Sequence, residues 1–375
     1  MLLYIHVPFC RRKCRYCAFF SGTHTPELER AYLDALKKEA LIRGGQFRGR
    51  RVSSIYLGGG TPTLLSLSAL SEITDLAAAA FSLDPALEFT IEANPESIPD
   101  KNRARALMGI GVNRMSLGVQ TLEDDILFKL GRGHSAQQAL QAAGFVRESG
   151  MDSLGLDLIW GLPGQTLQSW LRDLRVLMKY RPEHISCYNL TLEPGTPLAR
   201  EAAAGKVPLP RDDIQALMYR EGGAYLESKG LLRYEVSNFA RRGHFCRHNS
   251  GYWEGKDYIG LGPSAVSTAD GRRWMNPRGV EEYSSLGHSS FEGLEAEEIK
   301  GASLVRERVM LALRTAGGLS LRLYHDLTGK DFLREFGFLV KALEEKKLAR
   351  VENGFFCLTG SGMLVSNSII ERFIT

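Results

Sequence analysis

Six short apolar runs alternate with amphipathic segments through the first half of this chain, and that alternation limits the fold more than any other feature. The runs are LLYIHVP near 2–8, SSIYLGG near 53–59, EFTIEANP near 88–95, RMSLGVQ near 114–120, SLGLDLIWGLP near 153–163 and HISCYNLTLEP near 184–194. Each has strand length and ends in punctuating residues. Between them lie segments such as PELERAYLDALKKEALIR, SLSALSEITDLAAAAF, SAQQALQAAGFVRESG and TLQSWLRDLRVLMKY, with apolar residues at three- and four-residue spacing. Ser66, Ser135 and Thr166 stand where helix N-caps belong. The alternation predicts a parallel sheet with right-handed crossovers. Six units in about 200 residues fit a partial (β/α)6 barrel better than a closed eight-stranded one.

Reactive groups in such barrels sit at the C-terminal ends of strands. This sequence places its irregularities there: Gly58-Gly59-Gly60-Thr61-Pro62, Glu92-Ala93-Asn94-Pro95, Gln120, Asp157 and Gly161-Leu162-Pro163-Gly164. Glu92 and Asp157 are carboxylates inside otherwise apolar strands. Burying an unpaired carboxylate is costly, so each is expected to have a partner or to face a polar cavity.

Past residue 230 the pattern changes. YEVSNFARRGHFCRHNSGYWEGKDYIGLGPSA is polar, aromatic and glycine-rich without a clean period, and 270–298 reads as a linker. From about 300, VRERVMLALRTA, LRLYHDLTG and DFLREFGFLVKALEEKKL read as helices, and ARVENGFFCLT as a hairpin turning at Asn353-Gly354. The expected division is a barrel over 1–230, an extension and linker over 231–298, and a winged-helix-like α+β module over 299–375.

Three of the six cysteines, Cys10, Cys14 and Cys17, crowd into C-x3-C-x2-C, while Cys187, Cys246 and Cys357 are scattered. A secreted disulfide framework would be shorter and denser. Three thiolates at this spacing can ligate three irons of a cubane and leave the fourth iron open. An open position separates a reactive centre from a closed structural one. Zinc is the alternative. It needs a fourth ligand, and His24 is the one close candidate. Hydrophobic residues at 44%, charged residues at 24% and a net charge of +4 make no electrostatic case for nucleic acid. No apolar run approaches the roughly 18 residues of a membrane span. The opening MLLYIHVPFC lacks the regions of a signal peptide. A cytoplasmic location is expected, with peripheral membrane contact compatible.

The cysteine motif after a first strand, with Tyr16 before its third cysteine, resembles the signature of the radical SAM superfamily. YIHVPFC, GGGTPTLL, IEANPES, VNRMSLGVQT, LGRGH, LDLIWGLPGQT, YNLTLEPGTPL and HNSGYW are similar, over essentially the whole chain, to the oxygen-independent coproporphyrinogen III oxidase-like family, nearest its heme-chaperone branch. The resemblance implies a [4Fe–4S] cluster on Cys10, Cys14 and Cys17 whose open iron chelates S-adenosylmethionine (SAM). It implies reductive cleavage of SAM to a 5′-deoxyadenosyl radical, with the cofactors carrying the chemistry. It also implies SAM-site residues at Tyr4, Tyr16, Gly59, Gly60, Thr61, Glu92, Gln120, Arg132 and Asp157. Arg132 would meet the methionine carboxylate, for which its planar fork is suited.

The enzyme branch decarboxylates coproporphyrinogen III. It normally carries a segment before the first strand and a further cysteine two residues after the third cluster cysteine. Here Met1 lies three residues before Tyr4, and the other position holds Phe19. Both features point to the chaperone branch. So does Cys246-Arg247-His248-Asn249-Ser250-Gly251-Tyr252-Trp253, which resembles that branch's heme-associated H-N-x-x-Y-W motif. His248 is then a candidate iron ligand, with Tyr252 and Trp253 against the macrocycle. The alternative is a folded loop in which His248 and Asn249 satisfy backbone groups.

The resemblance therefore implies a heme chaperone that passes heme to hemoproteins, membrane-bound respiratory proteins among them, and an electron donor for the cluster. The oxidase is the alternative function. Nucleic-acid modification is a third class. The helix FLREFGFLVKALEEKKL mixes its basic residues with Glu335, Glu344 and Glu345, so it lacks a one-sided basic face, and no nucleic-acid partner is expected.

Overall fold

The computed structural model describes residues 1–374, side chains included except at 288 and 289. Six strands follow the expected runs: β1 (Leu2–Val7), β2 (Arg51–Gly59), β3 (Ser82–Ala93), β4 (Arg114–Gln120), β5 (Ser153–Trp160) and β6 (His184–Asn189). They pair in chain order and all in parallel. Their central residues are buried, as in a sheet covered by crossover helices. Those helices are α1 (Pro26–Gln46), α2 (Leu67–Ala80), α3 (Lys101–Gly109), α4 (Asp124–Leu130), α5 (Ala136–Ser149) and α6 (Leu167–Leu177). Ser66, Ser135 and Thr166 cap α2, α5 and α6, accepting from the backbone N–H groups of Ala69, Gln138 and Ser169. Gln138 and Ser169 return the bond, closing capping boxes that fix where each strand-to-helix loop ends.

After α7 (Pro197–Ala203) and α8 (Asp212–Ser228), the sheet is extended at both edges. Beyond β6 lie the short strands β7 (Leu232–Arg233) and β8 (Asn238–Ala240), with β8 antiparallel to β6. Helix α9 (Arg247–Trp253) carries the H-N-x-x-Y-W motif. Strand β9 (Tyr258–Leu261) then pairs in parallel with the outer side of β1. β10 (Val266–Ala269), β11 (Arg272–Met275) and β12 (Ala296–Glu298) continue from it antiparallel.

The stretch 270–298 is thus not the linker the sequence suggested. It forms β11, the short helices α10 (Val280–Ser285) and α11 (His288–Glu292), and β12. Its strands are too short for a period to register. Part of what anchors it is distant in sequence. Glu39, fully buried on α1, accepts hydrogen bonds from Asn276 (2.7 Å), the Tyr283 hydroxyl (2.7 Å) and the Gly262 N–H (2.9 Å).

The last part of the chain forms a separate small sheet, β13 (Leu319–Ser320), β15 (Phe355–Leu358) and β14 (Ala349–Glu352), with α12 (Gly301–Ala312), α13 (Leu321–Thr328) and α14 (Phe332–Glu345) around it. Asn353 and Gly354 turn the hairpin with φ of 50° and 81°, the left-handed pair that a two-residue turn requires. Phe332, Val340 and Leu343 of α14 are buried, and Phe332 packs against Phe356 and Phe373. That face of α14 is core. Among the described residues no helix is long and apolar enough to cross a membrane.

Candidate functional site

The chain leaves β1 at Val7 and enters the loop of Cys10, Cys14 and Cys17. All three are free thiols and partly exposed. Backbone bonds from Gly22 N to Pro8 O (2.7 Å) and from Cys10 N to Gly22 O (3.0 Å) pin the loop's base. The end of β2 holds it from the other side, where Gly60 N and Thr61 N donate to Val7 O (2.8 Å) and Phe9 O (2.7 Å). A β-carbon at Gly60 would lie 2.4 Å from the Phe9 carbonyl oxygen, so only glycine lets the two segments meet. Gly59 has φ of 109°, and a β-carbon there would strike the His6 ring. This close fit brings Thr61 Oγ1 to 3.7 Å from Cys10 Sγ.

Arg132 follows the left-handed Gly131 that ends α4. Its Nη1 donates to Cys14 Sγ (3.5 Å), and its Nη2 donates to Asn94 Oδ1 (2.6 Å) and to the Gly118 carbonyl (2.8 Å). Its Nε is buried and meets no acceptor. Asn94 in turn donates to Thr61 Oγ1 (2.9 Å). A continuous polar chain therefore runs Cys10–Thr61–Asn94–Arg132–Cys14. Burial pushes the Tyr16 hydroxyl up, and neighbouring Arg132 opposes that. Glu96 and His134 pair at 3.4 Å, and Glu96 with Arg132 lines a cleft of about 300 Å³ beside Cys14. Gln120 ends β4 with φ of 68°, a strained value for a side chain this size, and its amide lies over Gly118.

Glu92 and Asp157 have the partners expected of carboxylates inside strands. Glu92 accepts from the Tyr56 hydroxyl (2.8 Å) and the Gly59 N–H (3.1 Å), and burial pushes its carboxyl up to about 7. Ser116 Oγ lies 2.9 and 2.8 Å from the two Asp157 oxygens, and burial again raises the carboxyl. Tyr4 stands on β1 with its ring 6.2 Å from that of Tyr56, and its hydroxyl meets His6 Nδ1 at 3.0 Å. Sequence reasoning did not name Asn94, Tyr56 or Ser116 as site residues. Asn94 was legible as part of a strand-end irregularity. The other two carried no signal beyond being polar in a strand.

The H-N-x-x-Y-W helix lies elsewhere, across the N-terminal ends of the strands. Glu88 of β3 accepts from the N–H groups of Arg247 (2.8 Å) and His248 (2.9 Å) at the start of α9. His248 is 2% exposed. Its Nδ1 meets Ser54 Oγ (2.9 Å), its Nε2 meets the Tyr252 hydroxyl (3.1 Å), and burial pushes the imidazole down to about 3. Both ring nitrogens are engaged, so the expected iron-ligating histidine presents no free nitrogen here. In this structure His248 is a buried residue closing the barrel floor. The i, i+4 spacing puts His248 and Tyr252 on one helix face, but spacing alone could not say that the face turns inward. The Trp253 indole N–H is buried without a partner. Cys246 caps α9 and donates to Glu88 (3.5 Å), and burial pushes its thiol up to about 11, which makes it inert.

Among the described residues no set of three or more Cys, His, Asp or Glu is drawn close enough to hold a single metal ion. His24, the candidate fourth zinc ligand, is engaged with Glu29 at 2.5 Å. A cubane needs a different arrangement, since each thiolate takes its own iron. Three free thiols on one pinned loop fit that donor set. A guanidinium on Cys14 with an unpartnered Nε supplies positive charge beside it.

The family model of the radical SAM superfamily matches residues 4–177, and that of the HemN C-terminal domain matches 302–365. The heme chaperone HemW of Bacillus subtilis (strain 168) is 33% identical over 99% of this chain and 98% of its own length. The mitochondrial radical S-adenosyl methionine domain-containing protein 1 of Bos taurus is 33% identical over 100% of this chain and 87% of its own. The solved structure of coproporphyrinogen III oxidase (HemN) from Escherichia coli, a radical SAM enzyme, superposes with a TM-score of 0.84 at 26% identity. It covers 100% of this chain and 90% of that one. A cysteine loop braced by Thr61 and Arg132 at the mouth of a six-stranded partial barrel, together with end-to-end likeness to such relatives, places this chain in the HemW family of radical SAM proteins.

Proposed function

We propose that this protein is a heme chaperone that holds a [4Fe–4S] cluster on Cys10, Cys14 and Cys17, binds SAM at the strand ends, and passes heme to hemoproteins. The observation that carries the reading is the full-length match to curated heme chaperones. Phe19, where the oxidase branch has a further cysteine, supports it.

When bound, the cluster and SAM supply one-electron chemistry. The chain's own residues bind and orient. Arg132 lines the cleft beside Cys14, and a planar guanidinium is suited to the methionine carboxylate. Gly59, Gly60 and Thr61 bring backbone close enough for carbonyls to meet an ammonium group. Glu92, Gln120 and Asp157 supply polar contacts along the wall, with Tyr4 and Tyr16 as flanking aromatics. Heme binding, an electron donor and membrane-bound respiratory acceptors belong to the same proposal. His248 is left out of the heme ligand set because its nitrogens are occupied.

The second reading is oxygen-independent coproporphyrinogen III oxidase. The likeness of the whole chain to the Escherichia coli enzyme favours it. One experiment separates the two. Reconstituted protein is incubated anaerobically with SAM, reductant and coproporphyrinogen III, and is titrated in parallel with heme. Saturable heme binding without protoporphyrinogen IX formation is expected. Efficient conversion would overturn the chaperone reading.

A further inference from the structure

Outside the barrel, a cleft of about 420 Å³ lies where helix α8 meets the C-terminal module. Arg220, Ala224 and Glu227, at i, i+4 and i+7, share one face of α8, and all three line the space. Arg233 of β7 joins them from the barrel side. Lys347, just past α14, and Arg350 of β14 come from the module.

Arg233 is the fixed member of this set. Its side chain is 9% exposed. The guanidinium carbon lies 4.4 Å from the Tyr219 ring centroid and 4.5 Å from that of Phe239. A β-carbon at Gly223 would lie 2.2 Å from Nη2, so glycine there makes the room that the guanidinium fills. Nη1 donates to the Val236 carbonyl (3.3 Å). Two carboxylates lie in its field. Glu227 is 3.8 Å from Nε, beyond hydrogen-bond range, and is half exposed. Glu235 is buried, accepts from the Ser237 N–H (3.1 Å), and burial raises its carboxyl. Among the described residues Nε and Nη2 have no acceptor, and neither nitrogen is sealed from solvent.

Lys347 stands in a costly position. Its φ is 57°, the left-handed conformation that the residue after a helix ordinarily gives to glycine. Bonds from Lys347 N to Glu344 O (2.8 Å) and from Leu348 N to Leu343 O (2.9 Å) hold it there. Arg350 pairs with Glu352 at 3.0 Å. Among the described residues, Arg220 and Lys347 have no carboxylate within ion-pair range. Four cations from separate elements therefore border one space, in which Glu227 is the opposing charge. Such a cleft focuses a positive potential. An anion with several charges on adjacent groups satisfies more of these cations than a single carboxylate does. The cations close around a pocket instead of running along a face, which suits a compact anion and not a nucleic-acid backbone.

We infer that this cleft binds a compact anion of the diphosphate type. Arg233 is its anchor, since Nε and Nη2 form the side-on fork that takes two phosphate oxygens. Arg220, Lys347 and Arg350 balance the remaining charge, and Glu227 swings aside. Two sources share this chemistry: a soluble phosphate compound and the headgroup of an anionic phospholipid. The inference is independent of the heme reading.

The probe is inorganic pyrophosphate, titrated by calorimetry into reconstituted protein free of divalent cations. Saturable binding is expected, weakened about tenfold or more in Arg233→Met and in Lys347→Gly. It should tighten in Glu227→Gln and stay unchanged in Lys37→Ala, which removes an exposed cation of α1. Glycine at 347 relieves the left-handed backbone, so Lys347→Gly should unfold no earlier than wild type while binding less. A lysine with a structural role alone would not separate the two readouts. If Arg233→Met does not fold by circular dichroism, Lys347→Gly and Glu227→Gln carry the decision. Vesicles of phosphatidylglycerol in phosphatidylcholine distinguish the sources. Sedimentation with them that is lost in Lys347→Gly assigns a lipid headgroup. No sedimentation, or sedimentation that survives the variant, assigns a soluble phosphate compound. Absence of saturable pyrophosphate binding, or binding that the cleft variants leave as in wild type, overturns the proposal.

Discussion

Arg132 touches the Cys14 sulfur with one terminal nitrogen, at 3.5 Å, and holds Asn94 with the other, at 2.6 Å. The same side chain thus belongs to the cysteine loop and to the strand ends. Arg132→Ala removes the positive charge from the cleft without removing a thiol. SAM affinity should fall about tenfold or more, the size of a lost charge-assisted hydrogen bond. Iron and sulfide content should stay at the wild-type level. Equilibrium binding of SAM beside an iron assay checks both halves.

Serine at Cys10, Cys14 or Cys17 should each lower iron and sulfide after anaerobic reconstitution. Cys187 and Cys357 are buried, and burial raises both thiols, so serine there should leave the iron content unchanged. Full iron content in all three loop variants would remove the cluster from this loop.

The close approach at Gly60 makes a steric prediction. Alanine there would place its β-carbon 2.4 Å from the backbone oxygen of Phe9, which has no side-chain freedom to yield. Gly60→Ala should cost about 1–3 kcal/mol, as overpacking does, and should impair cluster retention because the loop is displaced. Gly45→Ala, in open space on α1, is the control and should be neutral or mildly stabilising. Thermal unfolding of both, with iron content, measures the contrast.

Glu92 couples the site to pH. Its folded carboxyl is pushed up to about 7 from an ordinary value of 4.5, so the folded protein keeps a proton that the unfolded chain loses. The contribution of this group to stability is present below pH 4.5, declines as pH rises toward 7, and is level above it. Glu92→Gln should flatten that segment of the stability profile. Binding of the SAM cation favours the ionised carboxylate, so SAM affinity should rise between pH 6 and 8 in wild type (a window set by Glu92 at about 7) and stay flat in Glu92→Gln.

His248 links Ser54 of β2 to Tyr252 of α9 through one buried ring. His248→Ala removes both hydrogen bonds and leaves a void, at a cost of about 2–4 kcal/mol. Chemical denaturation of the variant should show it. Its heme absorption spectrum separates the two roles, since a residue of the floor leaves axial ligation as in wild type. Burial holds the wild-type imidazole down at about 3, below the unfolded value of 6.5, so its contribution to stability is lost as pH falls from about 6.5 toward 3.

The parallel strands were legible because each is long enough to show an apolar run and each ends in residues a strand interior rejects. Glu92, Asp157 and the Gly59-Gly60-Thr61 turn stood out for that reason. The hairpin at Asn353-Gly354 was legible because few residue pairs accept two left-handed positions in succession. What escaped was decided by long-range contacts. Glu39 in α1 reads as one more polar helical residue until Asn276 and Tyr283 arrive from far along the chain. The contact between Ser54 and His248 joins residues 194 positions apart, which the spacing within α9 cannot announce.

Strand β1, from which the cysteine loop hangs, is flanked on one side by β2 and on the other by β9, where Leu2 is in register with Tyr258 and Ile5 with Leu261. The outer neighbour is made long after the strand it supports. A nascent chain that has released the cysteines and the first six strands still carries β1 as an open edge, with unpaired N–H and C=O groups. The barrel edge closes only once residues 258–261 have left the ribosome. Until then the strand that carries the cysteine loop is held from one side alone, and fragments that stop before residue 258 are expected to pair with one another through it.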